Sequence, residues 1–453
     1  MKIYAPVTEA VLDALKTIVG AEYVLTEPEK LEQYQTDEET DPRKFHLPEA
    51  VVLPKDAQEI AAVIKLANTY DVPVTVRSGG TSLAGGAIPV CGGIVLLMER
   101  LNKIIELNAE GMYMEVEAGV RTVDIQKYAN EAGFLYAGDP CSAESCLIGG
   151  NIATNAGGNK AVRYGVTRDQ VYAVEVVTPT GEIVELGARL KKKSTGYCLE
   201  QLIMGSEGTL GIITKATLKL QPIPPYRFDL LAVFSDPEQA LDVVPKIMQA
   251  GINPTSVEYM DNSYVRGTAD YLEFKGAPHY ENGIYVIITV ETFSEDELDL
   301  KMEQLDELCS AAGAVDVLEA DERIWDMRRN CQESVRLISL VSLTDDVVVP
   351  VNEIAGTIKF IMKIGEKYPF PVKINAHIGD GNLHIVLCKC ELSDEEWENK
   401  VEAFHKEVYT YAYSIGWPAS MVSAQKNSEK WKHIPRPASW RSCARSRRQW
   451  TRS

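Results

Sequence analysis

The sequence predicts an α+β protein in two parts: a glycine-rich, ligand-binding half over residues 1–222 and a ferredoxin-like half over residues 223–416. Three observations carry this reading. A strand–helix–strand pattern ending near Arg77 runs straight into a glycine-rich loop, and two further glycine-rich stretches follow. A proline cluster at Pro222, Pro224 and Pro225 then breaks the chain, and beyond it the order strand, helix, strand occurs twice, as two split βαβ halves do.

Val11, Leu12, Leu15, Ile18 and Val19 share one helical face, with Gly20 placed to end the helix. Ala50–Leu53 reads as a short strand. Asp56 and Glu59 resemble a capping box, and Ile60, Val63, Ile64 and Ala67 recur at helical spacing behind them. Strand Val72–Arg77 completes a βαβ unit. The loop Arg77-Ser78-Gly79-Gly80-Thr81-Ser82 therefore lies at the carboxyl end of its strand, where open α/β sheets bind ligands. Its two glycines let backbone approach an anion, and the flanking Arg, Ser and Thr side chains supply donors, so the loop is read as a phosphate cradle. It is neither a Walker loop, which needs a Lys before its Ser/Thr, nor a dinucleotide fingerprint opening a helix.

Strands Ile94–Met98 and Tyr113–Glu117 and a helix over Val123–Ala132, capped by Gly133, come next. Ile148–Gly165 is dominated by small residues and Asn, a composition suited to lying against a flat polar ligand rather than to building a core. Val171–Thr178, the turn Pro179–Gly181 and Glu182–Leu186 read as a hairpin. The third glycine-rich stretch, Gly205–Ile213, then enters a strand reaching Leu220. Three such stretches in one half imply one large cofactor.

In the second half, strands are expected at 228–234, 255–259, 284–291 and 315–319, with helices 237–250 and 295–312 capped by Asp236 and Ser294. The chemistry concentrates in Val372–Leu387, VKINAHIGDGNLHIVL. Asp380-Gly381 is a favoured two-residue type I′ turn, which would set His377 directly opposite His384 on one face. Two imidazoles so placed can bind one divalent metal or one substrate oxygen.

A formal charge of −19 disfavours nucleic acid or anionic lipid as partners. Nine scattered cysteines without a CxxC argue against a disulfide framework or an iron–sulfur cluster on this chain. No apolar run approaches a membrane span, and the opening residues do not read as an export signal, so a cytoplasmic location is expected.

RSGGTS, Asp139-Pro140, IGGNIATNAGG, Tyr164-Gly165, GSEGTLGI and HIGDGNLH resemble, in this order, the FAD enzymes of the vanillyl-alcohol-oxidase type, and most closely their D-2-hydroxyacid (D-lactate) dehydrogenase and glycolate oxidase flavoprotein-subunit branch. The resemblance spans roughly residues 10–416. It implies a two-part FAD-binding domain followed by a substrate, or cap, domain. FAD would be held without a covalent bond by the 77–82 loop, Pro140, Gly149, Gly150, Thr154, Asn155, Gly157, Glu207, Gly208, Ile212 and Ile213. The cradle offers no His for covalent attachment, and Cys141 and Cys146 are expected to be small buried apolar residues. The resemblance further implies that His377 and His384 lie over the flavin and hold a divalent metal, zinc or iron. Arg328 would pair with the carboxylate of a small 2-hydroxyacid such as D-lactate or glycolate. The electron acceptor stays open among a quinone, an electron-transferring flavoprotein and a separate iron–sulfur subunit. An oxygen-using alcohol or lactone oxidase of the same fold is the alternative chemistry.

From Trp417 onward the text changes, with nine Lys/Arg against the single acid Glu429 and no helical or strand periodicity. The family's EHG segment, which supplies a metal-binding Glu and a base, does not occur. The 417–453 tail reads as out-of-frame translation, and a catalytically incomplete FAD-binding subunit is the corresponding alternative.

Overall fold

The computed structural model describes residues 4–415; the expectations for the 417–453 tail lie outside the described residues. The chain divides into two compact units, one ending at Ile223 and the next beginning at Pro224.

In the first unit, helix Glu9–Val19 buries Val11, Leu15 and Val19 and stops at Gly20, whose φ is 95°. Strands β1 (Val24–Leu25), β2 (Ala50–Val52), β3 (Val74–Arg77) and β4 (Ile94–Leu97) form a sheet in the order β1-β2-β4-β3. The β4 strand lies parallel to both β2 and β3, so the βαβ unit is closed by the strand that follows the glycine loop. Helix Ala57–Tyr70 connects β2 to β3. Asp56 caps it by accepting from the Glu59 N–H, but Glu59 accepts from Lys55 rather than Asp56, so the capping box is only half formed.

A second sheet contains β5 (Ile104–Asn108), β6 (Tyr113–Glu117), β8 (Val171–Val177), β9 (Ile183–Gly187) and β10 (Ile212–Lys219), in the order β5-β6-β10-β8-β9; between them β7 (Phe134–Leu135) pairs with β11 (Gln221–Pro222). The expected hairpin is β8–β9, with Val177 opposite Ile183. One core joins both sheets: Ile60 and Val63 of the first helical layer pack in the same cluster as Val116, Val174 and Leu218. The Asn- and Gly-rich stretch departs from expectation. Residues Ile148–Thr154 form a helix, and their four-residue spacing puts Ile148 and Ile152 into that core.

The second unit is built on β12 (Tyr226–Phe234), β13 (Ser256–Met260), β14 (Ile284–Thr292), β15 (Asp316–Glu319), β16 (Ser342–Val348), β17 (Val372–His377) and β18 (Asn382–Cys388). Its first four strands pair antiparallel in the order β15-β12-β14-β13, which with helices Pro237–Gln249 and Glu295–Ala311 is the ferredoxin-like arrangement. The sheet then continues β17-β18-β16, giving seven strands rather than four. One face packs under helices that include Ile354–Gly365 and Asp394–Ser414. The other is partly covered by helices Asn262–Tyr271, Glu322–Arg329 and Cys331–Val335.

The helix Asp394–Ser414 is tied to the sheet by a buried hydrogen-bonded pair, His405 Nε2 with Asp345, and by a 3.2 Å hydrogen bond from Tyr409 Oη to the same carboxylate. Breaking a buried pair by removing one partner costs about 3–5 kcal/mol. Asp345→Ala is therefore expected to lower the unfolding free energy of the second unit by that amount, read as a lower urea midpoint with an unchanged slope of the transition.

Candidate active site

Two clusters of functional side chains arise, one in each unit. In the first, β3 delivers the chain into Ser78–Ser82 against the segment before helix Ile148–Thr154. The contact is close enough to require glycine: a Cβ on Gly79 would lie 2.5 Å from the Ser145 carbonyl oxygen and 3.1 Å from Cys146 Cα. Gly80 has φ +68°, and a Cβ there would meet the Arg77 guanidinium at 2.2 Å. Among the described residues, none accepts a hydrogen bond from the backbone N–H groups of Gly79, Gly80 or Thr81. Half-buried, unpartnered amides converging in one loop form an anion cradle.

The three glycine-rich stretches meet. A Cβ on Gly150 would lie 2.9 Å from Ser78 Cβ, while Gly205 N–H donates to Ile152 (3.0 Å) and Glu207 N–H to Ala153 (2.8 Å). Pro140 joins them from the side, since Asp139 and Pro140 abut Gly158. Open space adjoins Gly208 and, apart from one Val166 methyl at 3.9 Å, Gly157. The buried Ser206 Oγ and Arg168 Nε have no hydrogen-bond partner among the described residues, as groups awaiting a polar ligand do. These features fit a large phosphorylated cofactor.

Several side chains expected to reach that ligand also bond within the protein. Arg77 donates from Nη1 to the Thr36 carbonyl (2.6 Å) and packs on the Tyr34 ring. Thr154 Oγ1 bonds back to Gly150, Asn155 Oδ1 accepts from Arg168 N–H, and Ser82 Oγ accepts from Ala84 N–H. Ile212 and Ile213 are buried strand residues paired with Val177 and Val176. Cys146 is buried as expected, but Cys141 is exposed.

The second cluster lies on the sheet face of the second unit that carries Glu258, His377 and His384. The expected two-residue turn does not form. The β17–β18 connection is a four-residue loop, 378–381, so His377 pairs with Asn382 and His384 with Asn375. The reason is tertiary. Neighbouring strands claim the loop backbone: Gly379 N–H donates to Val257 (3.3 Å), and Gly381 oxygen accepts from Val349 N–H (3.0 Å). Asp380 spends its carboxylate on Asn382 N–H (3.1 Å). The partner of His384 is displaced by two residues from the expected register, an even shift that keeps both histidines on one face. Their rings stand diagonally, edge to face, with centroids 5.0 Å apart.

Each ring is held through Nδ1 by a carboxylate. His377 Nδ1 lies 2.8 Å from both oxygens of Glu258, and His384 Nδ1 bonds to Asp346. Glu258 is fully buried on β13, beside His377 on β17. It also receives Arg328, whose Nε and Nη2 lie 2.9 and 2.7 Å from Glu258 Oε2. Burial pushes the Glu258 carboxyl up, but His377 and Arg328 outweigh it and hold it below the usual carboxylate range. Burial raises the Asp380 carboxyl against the pull of His377.

Arg328 thus belongs to the cluster, but with a protein carboxylate as partner. Arg329 is instead the ordinary surface charge, paired with Glu322 and Asp326. Glu258 itself is absent from the expected site; the signal available was a lone acid between apolar neighbours in the strand SVEYM.

Residues 48–187 match the FAD binding domain family, and residues 223–416 match the C-terminal domain of FAD linked oxidases. The chain is 36% identical to a D-lactate dehydrogenase of Anaerostipes hadrus, over 93% of this chain and 90% of that one. It is 34% identical to the glycolate oxidase subunit GlcD of Bacillus subtilis, over 83% of this chain and 80% of that protein. The structure of p-cresol methylhydroxylase with substrate bound superimposes with a TM-score of 0.77 at 17% identity, over 93% of this chain and 92% of the other, which shows a shared fold. The unpartnered amide cradle, the three converging glycine stretches and these relationships agree: the chain belongs to the FAD-linked oxidase family, as an FAD-dependent oxidoreductase.

Proposed function

We propose that the chain oxidises a small D-2-hydroxyacid, D-lactate or glycolate, to the 2-oxoacid. The observation that carries this is the paired histidine face: two imidazoles 5.0 Å apart, each steered by a carboxylate on Nδ1, in a cluster with Arg328. Bound FAD supplies a two-electron acceptor for the α-hydrogen, transferred as hydride. Nε2 of His377 and His384 hold the substrate hydroxyl and take up its proton. Arg328 orients the substrate carboxylate while Glu258 balances its charge.

Neutral imidazoles backed by carboxylates are also the donors a divalent metal prefers, so the same two Nε2 lone pairs would fit zinc or iron in place of taking up the proton. Such an ion would lower the pKa of the bound hydroxyl. Among the described residues no group of three or more His, Cys, Asp or Glu side chains is gathered for a metal, so the pair supplies two ligands. The name of the Bacillus relative, a subunit, supports assembly with another protein; we read that partner as the electron acceptor, an electron-transferring flavoprotein or an iron–sulfur subunit. Among the described residues no helix is long and apolar enough to cross a membrane; a cytoplasmic location is part of the same reading.

Product analysis tests this. With a two-electron dye as acceptor, D-lactate should yield one pyruvate per dye reduced, and L-lactate essentially none. Dye reduction without a 2-oxoacid would overturn it.

A further inference from the structure

We propose that Glu258 is a positioning residue: it sets the tautomer of His377 and holds Arg328 in register with it. The proposal rests on the reading of this face as the reacting one.

The geometry requires it to do both. Glu258 is fully buried, and its carboxylate has the Arg328 guanidinium on one side at 2.7–2.9 Å and His377 Nδ1 on the other at 2.8 Å. Arg328 and His377 are themselves buried, 4% and 5% exposed, so neither can exchange this partner for water. An ionised carboxylate only accepts. With the Arg328 guanidinium donating to it at 2.7–2.9 Å, Glu258 faces His377 as a carboxylate acceptor, so Nδ1 of neutral His377 carries the proton and Nε2 keeps its lone pair. The 3.4 Å approach of Arg328 Nη2 to Nδ1 then joins two donors that share one acceptor, not a hydrogen bond between them. The Nε2 lone pair is what a hydroxyl proton or a divalent ion needs, and it exists on His377 because of Glu258.

The arrangement is also local to one strand pair. Glu258 pairs with His377 in the β13–β17 ladder, which fixes their separation through backbone hydrogen bonds. His384 obtains the same tautomer from Asp346, whose side chain is 58% exposed and can be partly replaced by water. His377 has no such reserve. Of the two histidines, it is the one whose carboxylate is closed off from water.

Glu258→Gln makes the test. A glutamine amide has one acceptor oxygen and one donor nitrogen. If its oxygen keeps Arg328, its NH2 faces Nδ1, which must then accept, and the proton moves to Nε2. Long-range 15N–1H correlation spectra of the histidine-labelled full chain at about pH 8 read the tautomer directly, with His377→Gln used to assign the signal. The wild type should show Nδ1–H on His377 and the variant Nε2–H, while Asp-held His384 is unchanged. Flavin reduction by D-lactate should fall about 10- to 100-fold, the usual cost of losing a carboxylate behind a ligating histidine.

A wild-type His377 protonated at Nε2 would overturn the proposal, and this arm needs no variant to fold. So would a folded Glu258→Gln chain that keeps the Nδ1–H form. A tautomer switch in a chain whose flavin no D-2-hydroxyacid reduces would uphold the role of Glu258 and refute the proposed substrate, so the two failures remain distinguishable.

Discussion

His384→Ala should reduce the rate of flavin reduction by D-lactate about 10²–10⁴-fold, the range lost when a positioned proton acceptor is removed. The same change should leave FAD content and thermal midpoint nearly unaltered, because His384 is partly exposed and its partner Asp346 already faces solvent. A stopped-flow trace of flavin absorbance, with equal FAD loading verified in both proteins, measures this. A variant reduced at the wild-type rate would remove His384 from the chemistry. His377→Ala is a less clean experiment, since it strips a partner from fully buried Glu258 and mixes instability with lost function.

Gly79→Ala should yield a folded chain that has lost most of its FAD. The added methyl has no room: the Ser145 carbonyl oxygen sits 2.5 Å from where it would be, and that oxygen belongs to backbone. Either the 78–82 loop or the segment before helix Ile148–Thr154 must yield, and both frame the amide cradle. Overpacking of this kind costs about 1–3 kcal/mol, up to roughly 100-fold in the dissociation constant if borne by the bound state. Fluorimetric titration of the deflavinated chain with FAD provides the measurement. Undiminished affinity would mean that the cradle tolerates displacement and that the amides of Gly79–Thr81 do not carry the cofactor.

What was legible in the sequence and what was not divides along the length scale of the interactions. The strand–helix–strand entry to Arg77, the β8–β9 hairpin and the four ferredoxin-like strands could be read because each is fixed by local periodicity and turn chemistry. The glycine stretches could be read as convergent because their composition leaves them few other uses. The helix at Ile148–Thr154 was hidden by its glycines: only two isoleucines one turn apart declare it, and they gain stability from the core rather than from propensity.

The histidine register failed for the opposite reason. Asp380-Gly381 carries a strong local preference, but β13 accepts a hydrogen bond from the loop and Val349, just after β16, donates one to it, so tertiary bonding prevailed over turn chemistry. The shared face survived because the displacement was even. The role of Glu258 was illegible because its significance lies in residues 70 and 119 positions away, Arg328 and His377, which only the folded sheet brings to it. Arg77 and Asn155 show the converse: residue types suited to an anion or a flavin, drawn into holding the backbone that meets it.

The central claim is that this FAD-linked chain oxidises a D-2-hydroxyacid at the histidine face. The anaerobic visible spectrum of the purified full chain, recorded before and after D-lactate and with L-lactate as control, tests it most directly. Flavin bands should bleach with the D isomer and persist with the L isomer. Flavin bands that bleach equally with both isomers, or with neither D-lactate nor glycolate, would contradict it.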